Sequence, residues 1–222
     1  MYKCVIKRLI DIILSSIAII VLAIPMLGIA IAIKLDDSGP ILFKQKRIGK
    51  NQNGQISYFM IWKFRSMKIC APHNIPTHLL KNSEQHITRV GKFIRKTSLD
   101  ELPQIYQVFT GKISLIGPRP GLWNQVDLWE EREKYGANDF KPGITGWAQV
   151  NGRDELDIPV KAKFDGEYTA ALNTGKFKGF VMDIKCLFKT VRAVIKFDGT
   201  TEGNTNDSAA TVDIMKDELT SK

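Results

Sequence analysis

The sequence predicts a mixed α/β domain attached to a membrane, a small sheet with helices around it, and three observations lead there. Residues 12–33 are an apolar run between basic flanks, residues 41–64 read as two strands around a polar turn, and apolar residues at helical spacing recur from about residue 87 to 197. Composition narrows the class further. The 222 residues include 32 Lys and Arg against 23 Asp and Glu, a formal charge of +9, and 44% are apolar. Such a chain is neither disordered throughout nor collagen-like. Its 3 cysteines, Cys4, Cys70 and Cys186, are odd in number and far apart, which excludes a disulfide scaffold or zinc knuckle and suits a reducing compartment. The excess charge lies in the first half: residues 1–111 hold 16 basic and 6 acidic residues, residues 112–222 hold 16 and 17.

The 22 residues from 12 to 33 carry no charge, and as one helix they would rise roughly 33 Å, enough to cross a bilayer core. The run is too long for the apolar core of a secretory signal, and no clean cleavage site follows it. Lys3, Lys7 and Arg8 precede it, while Lys34, Lys44, Lys46, Arg47 and Lys50 follow it. The positive-inside rule therefore asks for both ends in the cytoplasm. A re-entrant helix, broken near Pro25 and returning to the same leaflet, satisfies this, with Ser15 or Ser16 available to freed backbone groups. A kinked or tilted span with a weakly enforced first flank is the alternative.

Beyond the DDSGP turn, residues 41–64 read as a hairpin whose turn lies at 51–54, with Lys44, Lys46, Arg47, Lys63 and Arg65 along it. Basic strands beside a membrane suit a phosphate-rich ligand or lipid headgroups, or simply anchor the chain. His73 and His78 fall in a polar loop without zinc-like spacing. His86 precedes a short helix at about 87–96.

TSLDELPQIYQVFTGK is the strongest local pattern in the polar part. Ser98 and Glu101 have capping-box spacing, Leu99, Leu102, Ile105, Tyr106 and Phe109 form a helical stripe, and Gly111 suits a C-cap. Asp100 and Glu101 would then lie in a first helical turn, where free N–H groups favour ionised carboxylates. An ionised carboxylate serves as nucleophile or metal ligand, although acidic residues are also routine in first turns. In the strand-and-turn KISLIGPRPG, prolines on both sides of Arg119 restrict where its guanidinium points, as phosphate recognition requires. Residues 141–153, KPGITGWAQVNGR, form a glycine-rich loop ending in Arg153 but lack any nucleotide-binding spacing. A helix between them takes Trp123, Trp129 and Tyr135 as anchors. Residues 178–197 form a basic amphipathic helix suited to a membrane interface, and 198–222 read as a polar tail.

KRLIDIILS, GPILFKQKRIGKNQNG, WKFRSM, SLDELPQ, SLIGPRP and KPGITGWAQVNGR, in this order, resemble the blocks of bacterial sugar transferases, the monotopic polyprenyl-phosphate phosphoglycosyl transferase family, in its small form. The resemblance spans about residues 1–200. It implies transfer of a sugar 1-phosphate from a UDP-sugar to undecaprenyl phosphate, with release of UMP, on the cytoplasmic face of the bacterial inner membrane. By matching blocks it implies that Asp100 is the nucleophile and carries a covalent phosphosugar. It makes Glu101 the catalytic partner that binds Mg2+, and Lys63, Arg65, Arg119 and Arg153 contacts for the phosphates or nucleotide. It also implies the re-entrant helix broken near Pro25, interfacial amphipathic helices, and an organisation of membrane helix 1–36, catalytic domain 37–200 and tail 201–222 with no regulatory domain ahead. Asp11 is expected to pair with a basic group. Anionic membrane lipids are expected partners; a homodimer and downstream glycosyltransferases stay open. An inactive membrane scaffold is the alternative. Nucleic-acid binding is excluded, since it leaves the apolar run unexplained and no recognition motif supports it.

Overall fold

The structure is a computed structural model that describes residues 2–71, 83–152 and 156–195. The expectations for His73, His78, Arg153 and the tail lie outside these residues.

Residues Lys7–Asp36 form α1, a single helix of 30 residues that runs through Pro25 without interruption. Proline lacks the N–H that would bond Val21 O, but a helix tolerates one missing donor. Ser15 and Ser16 do not serve that position; both hydroxyls donate to Ile12 O. One face of α1, carrying Asp11, Ser15 and Ile33, is buried. Leu9, Ile13, Ile17, Ile20, Ile24, Leu27, Ile31 and Leu35 on the remaining surface are exposed. An apolar face of this extent on a helix about 45 Å long marks membrane association.

Both ends of α1 are tied to the polar domain. At the start, Arg8 donates to Val108 O and Phe109 O at 2.6 and 2.7 Å, and Lys7 pairs with Asp183 at 2.8 Å. Asp11 does not take a basic partner: its carboxylate accepts from the Ser114 hydroxyl at 2.8 Å and Leu115 N–H at 3.0 Å. The buried end of a strand offers two donors that need an acceptor, while Lys141 feels the Asp11 charge without a salt bridge to it among the described residues. At the far end, Asp36 accepts Val90 N–H and Asp37 accepts Arg65.

The hairpin is as its pattern indicates. β1 (Leu42–Ile48) pairs antiparallel with β2 (Tyr58–Phe64), from Leu42 opposite Phe64 to Ile48 opposite Tyr58. The free edge of β2 is closed by one side chain: Gln107 accepts Trp62 N–H at 2.9 Å and donates to Met60 O at 2.7 Å. Short α2 (Ser83–His86) leads into α3 (Arg89–Lys96), capped by Thr88, whose hydroxyl accepts Gly91 N–H. Ile94 of α3 packs with Ile33 and Phe64 in one core.

The capping box at Ser98 does not form. Ser98 is left-handed at φ 57°, ψ 17°, and its N–H bonds Arg95 O, so it terminates α3 instead of starting a new helix. Leu99–Glu101 make one 3-10 turn, and α4 (Gln104–Phe109) begins only after Pro103. β3 (Ser114–Ile116) follows and pairs in parallel with β4 (Gly143–Thr145).

Between them α5 (Val126–Glu133) buries Leu128 and Arg132, one turn apart, while Trp123 and Tyr135 are exposed rather than anchors. Arg132 reaches buried Asp165 on α6 (Ile158–Thr174). α7 (Lys176–Ile195) inserts Asp183 and Cys186 into the second core, with Tyr2, Ile116, Tyr168 and Leu172 close by. It leaves Phe177, Phe188 and Val191 exposed, an apolar outer face like that of α1.

Candidate active site

Three chain reversals bring charged side chains from separate elements to one place. The tight turn at Ser98 presents Asp100 and Glu101 beside the end of β2, and β2 supplies Lys63. The loop after β3 supplies Arg119. That loop is held by Gly117 N–H to Thr145 O at 2.8 Å, Gly143 N–H to Pro118 O at 3.0 Å and Arg47 to Pro120 O at 3.1 Å. Gly146 has to lack a side chain here, since a Cβ would come within 2.1 Å of Gly117 O.

Glu101 is at the centre. Its Oε1 accepts from Lys63 Nζ at 2.9 Å and from Arg119 Nη2 at 2.7 Å, while Arg119 Nη1 lies 3.5 Å from Oε2. Lys63 Nζ also stands 3.7 Å from Asp100 Oδ2. One ammonium therefore bridges both carboxylates. The side chains of Asp100 and Glu101 are 13% and 17% exposed and that of Arg119 is 35% exposed. The site is thus shielded on the carboxylate side and open on the arginine side.

The two acids differ in their protonation. Burial raises the Asp100 pKa, and the charge of Glu101 adds to this, against the pull of Lys63, Arg95 and Arg119. Burial would raise Glu101 as well, but Arg119 and Lys63, through charge and hydrogen bonds, outweigh it and hold Glu101 well below the usual carboxylate range. The expectation that a helix terminus keeps both acids ionised is therefore corrected. Neither lies in the first turn of an α-helix, and neighbouring cations and burial set their charges.

The structure thus gathers Asp100, Glu101, Lys63 and Arg119. It does not bring Arg65 to them: that guanidinium is buried and donates to the Asp37 carboxylate at 2.9 Å, to Asp37 O, and to Ser38 O at 3.2 Å. It closes the end of α1. Arg95, not singled out in the sequence, joins the group as a cation acting on Asp100. Its place depends on the left-handed Ser98, which folds the last turn of α3 back over the pair, and no local pattern announces that reversal.

Chemically, this is a carboxyl group with a raised pKa beside an acid held ionised by two cations, an arrangement that can supply a nucleophile and cations that match a diphosphate. Among the described residues, no group of 3 or more His, Cys, Asp or Glu side chains could hold a metal alone. A hard cation bound largely by phosphates needs fewer protein oxygens. Glu101 fits that need, because Oε2 has only the 3.5 Å arginine contact.

Comparison with known proteins gives a family model for bacterial sugar transferases that matches residues 2–197. The chain is 38% identical over 192 residues to the UDP-glucose:undecaprenyl-phosphate glucose-1-phosphate transferase of Escherichia coli K12, covering 83% of this chain and 39% of that protein. It is 37% identical over 206 residues to the UDP-N-acetylgalactosamine-undecaprenyl-phosphate N-acetylgalactosaminephosphotransferase of Aeromonas hydrophila, covering 86% and 44%. Similarity to the uncharacterized sugar transferase EpsL of Bacillus subtilis is 34% over 200 residues, covering 90% and 92%. The chain thus spans about two fifths of the length of the first two relatives and nearly all of the third.

Proposed function

The chain belongs to the bacterial sugar transferase family, and from that premise we propose that it transfers a sugar 1-phosphate from a UDP-sugar to undecaprenyl phosphate and so initiates a glycan. The observation that carries this is the Asp100–Glu101 pair, shielded and bridged by Lys63, with Arg119 at the open side. An Asp100 oxygen attacks the sugar-linked phosphorus, the bond to the bridging oxygen breaks, and UMP leaves with the electron pair. An oxygen of the lipid phosphate then attacks the same phosphorus and releases the Asp100 carboxylate, giving the polyprenyl diphosphosugar. Arg119 and Lys63 bind and orient the phosphates, and Arg153 is assigned by its block to the phosphates or the nucleotide. Glu101 would hold Mg2+, which when bound compensates diphosphate charge as UMP departs.

The membrane arrangement belongs to the same proposal. Both ends of α1 bind one polar domain through Arg8, Asp11, Asp36 and Asp37. A helix whose two ends are held by the same domain keeps both ends on one side, as the re-entrant reading requires, although α1 carries no break at Pro25; the basic residues on both flanks favour the cytoplasmic face. α7 would lie at the interface through Phe177, Phe188 and Val191.

The test is turnover of the full chain in detergent with undecaprenyl phosphate, Mg2+ and a panel of UDP-sugars, read as UMP release. At least one donor should give UMP together with a lipid diphosphosugar. Without lipid, UMP release should stop at about one equivalent per protein; continued release beyond that without lipid would contradict the transfer.

A further inference from the structure

At the far end of α1 lies a cavity of about 550 Å³, bounded by the last turn of α1, the bridge between Met67 and Ile87, and the first residues of α3. Its basic lining is Lys68, Arg89 and Lys92. Among the described residues, no carboxylate, carbonyl or ring engages these three side chains. Two carboxylates also line it: Asp36 Oδ2 accepts Val90 N–H at 2.8 Å, and Asp37 Oδ2 is paired with Arg65 at 2.9 Å, so the unpaired cations outnumber the unpaired acid. Three cations without a side-chain partner among the described residues, around one cavity, call for an anion.

The rim says which kind. Leu35, in the lining, is 83% exposed and continues the apolar outer face of α1. A soluble anion gains nothing from such a rim, whereas an amphiphile places its chain there and its charged end on the cations. The cavity is open to the surface, and Lys68, Arg89 and Lys92 are all exposed along it.

We propose that this cavity binds the phosphate of a membrane lipid, with Lys68, Arg89 and Lys92 on the phosphate and Leu35 against the chain. Two lipids offer that chemistry: an anionic phospholipid of the bulk membrane, and the polyprenyl phosphate acceptor on its way to Asp100. Only the second rests on the reaction proposed above.

Calorimetry of the full chain in neutral detergent tests it, with short-chain phosphatidylglycerol as probe and short-chain phosphatidylcholine as control. Saturable binding of phosphatidylglycerol is expected, weakened about fivefold in K92Q and roughly hundredfold in K68Q/R89Q/K92Q, and retained in K68R/R89K/K92R. Unchanged binding in K92Q and in a triple glutamine variant with the wild-type melting temperature would overturn the site. The KM for undecaprenyl phosphate then separates the sources. A raised KM at constant kcat places the acceptor phosphate in the cavity; an unchanged KM with lost phosphatidylglycerol binding leaves the bulk phospholipid as occupant. If the wild type gives no turnover, the proposed reaction fails, while calorimetry still decides the cavity.

Discussion

Replacing Asp11 by alanine should loosen the grip of the polar domain on its membrane helix. The buried Asp11 carboxylate is the acceptor for the Ser114 hydroxyl at 2.8 Å and for Leu115 N–H at 3.0 Å. Alanine leaves two donors without an acceptor in a site closed to water, and each such group costs about 1–3 kcal/mol. The sum, roughly 2–6 kcal/mol, corresponds to a fall in Tm of about 10 °C for a chain of this size. Asparagine separates hydrogen bonding from charge: its carbonyl can accept Leu115 N–H and its amide can donate to the Ser114 oxygen. Asp11→Asn should thus stay within about 1 kcal/mol of wild type. Thermal unfolding in detergent, followed by intrinsic fluorescence, measures both. Because β3 leads directly into the Arg119 loop, UMP release should fall with stability in Asp11→Ala and persist in Asp11→Asn. Equal Tm values for alanine, asparagine and wild type would refute the view that these bonds anchor α1.

The two site carboxylates should respond to pH with opposite sign. The Asp100 pKa is raised above its ordinary 3.8, so the group's contribution to stability is full below that value and is lost as pH rises through the folded pKa. D100N should therefore not lower Tm at neutral pH, although turnover disappears. The Glu101 pKa is lowered from its ordinary 4.5, so its contribution is present above that value and lost as pH falls toward the folded pKa. E101Q should unfold earlier than wild type at neutral pH, with a gap that narrows under acid, in a Tm series over pH. Arg119→Lys exchanges a two-point contact with Glu101 for a single ammonium, and UMP release should drop roughly tenfold to hundredfold. Gly146→Ala puts a Cβ within 2.1 Å of Gly117 O, so both Tm and UMP release should fall, and normal values would show that the two loops can separate freely.

Much of this architecture is legible in the sequence because it is local. The apolar run, the strands around the 51–54 turn and the stripe of the last long helix each depend on short-range periodicity, and the structure has α1, β1, β2 and α7 at these places. Asp100, Glu101, Lys63 and Arg119 stand out by residue type and block, and they do meet. What is not legible arises from chain reversal and competition for partners. Ser98 and Glu101 have capping spacing, yet α3 ends just ahead of them, and the left-handed Ser98 serves that end. The protonation of Asp100 then follows burial, opposed first by Lys63, and not a helix terminus. Arg65 looks like another phosphate ligand until α1 arrives with Asp37, a residue 28 positions earlier. Gln107, which closes the edge of β2, reads in sequence as an ordinary helix residue.

The central claim is that Asp100 bonds covalently to the sugar-linked phosphorus. Intact-protein mass spectrometry of the full chain, incubated with Mg2+ and each UDP-sugar but without lipid acceptor, tests it most directly. A mass increase of one sugar phosphate in wild type, absent in D100N and discharged by undecaprenyl phosphate, is the expected result. Turnover on adding undecaprenyl phosphate, with no adduct for any donor beforehand, would contradict the covalent step and leave direct transfer between the two substrates.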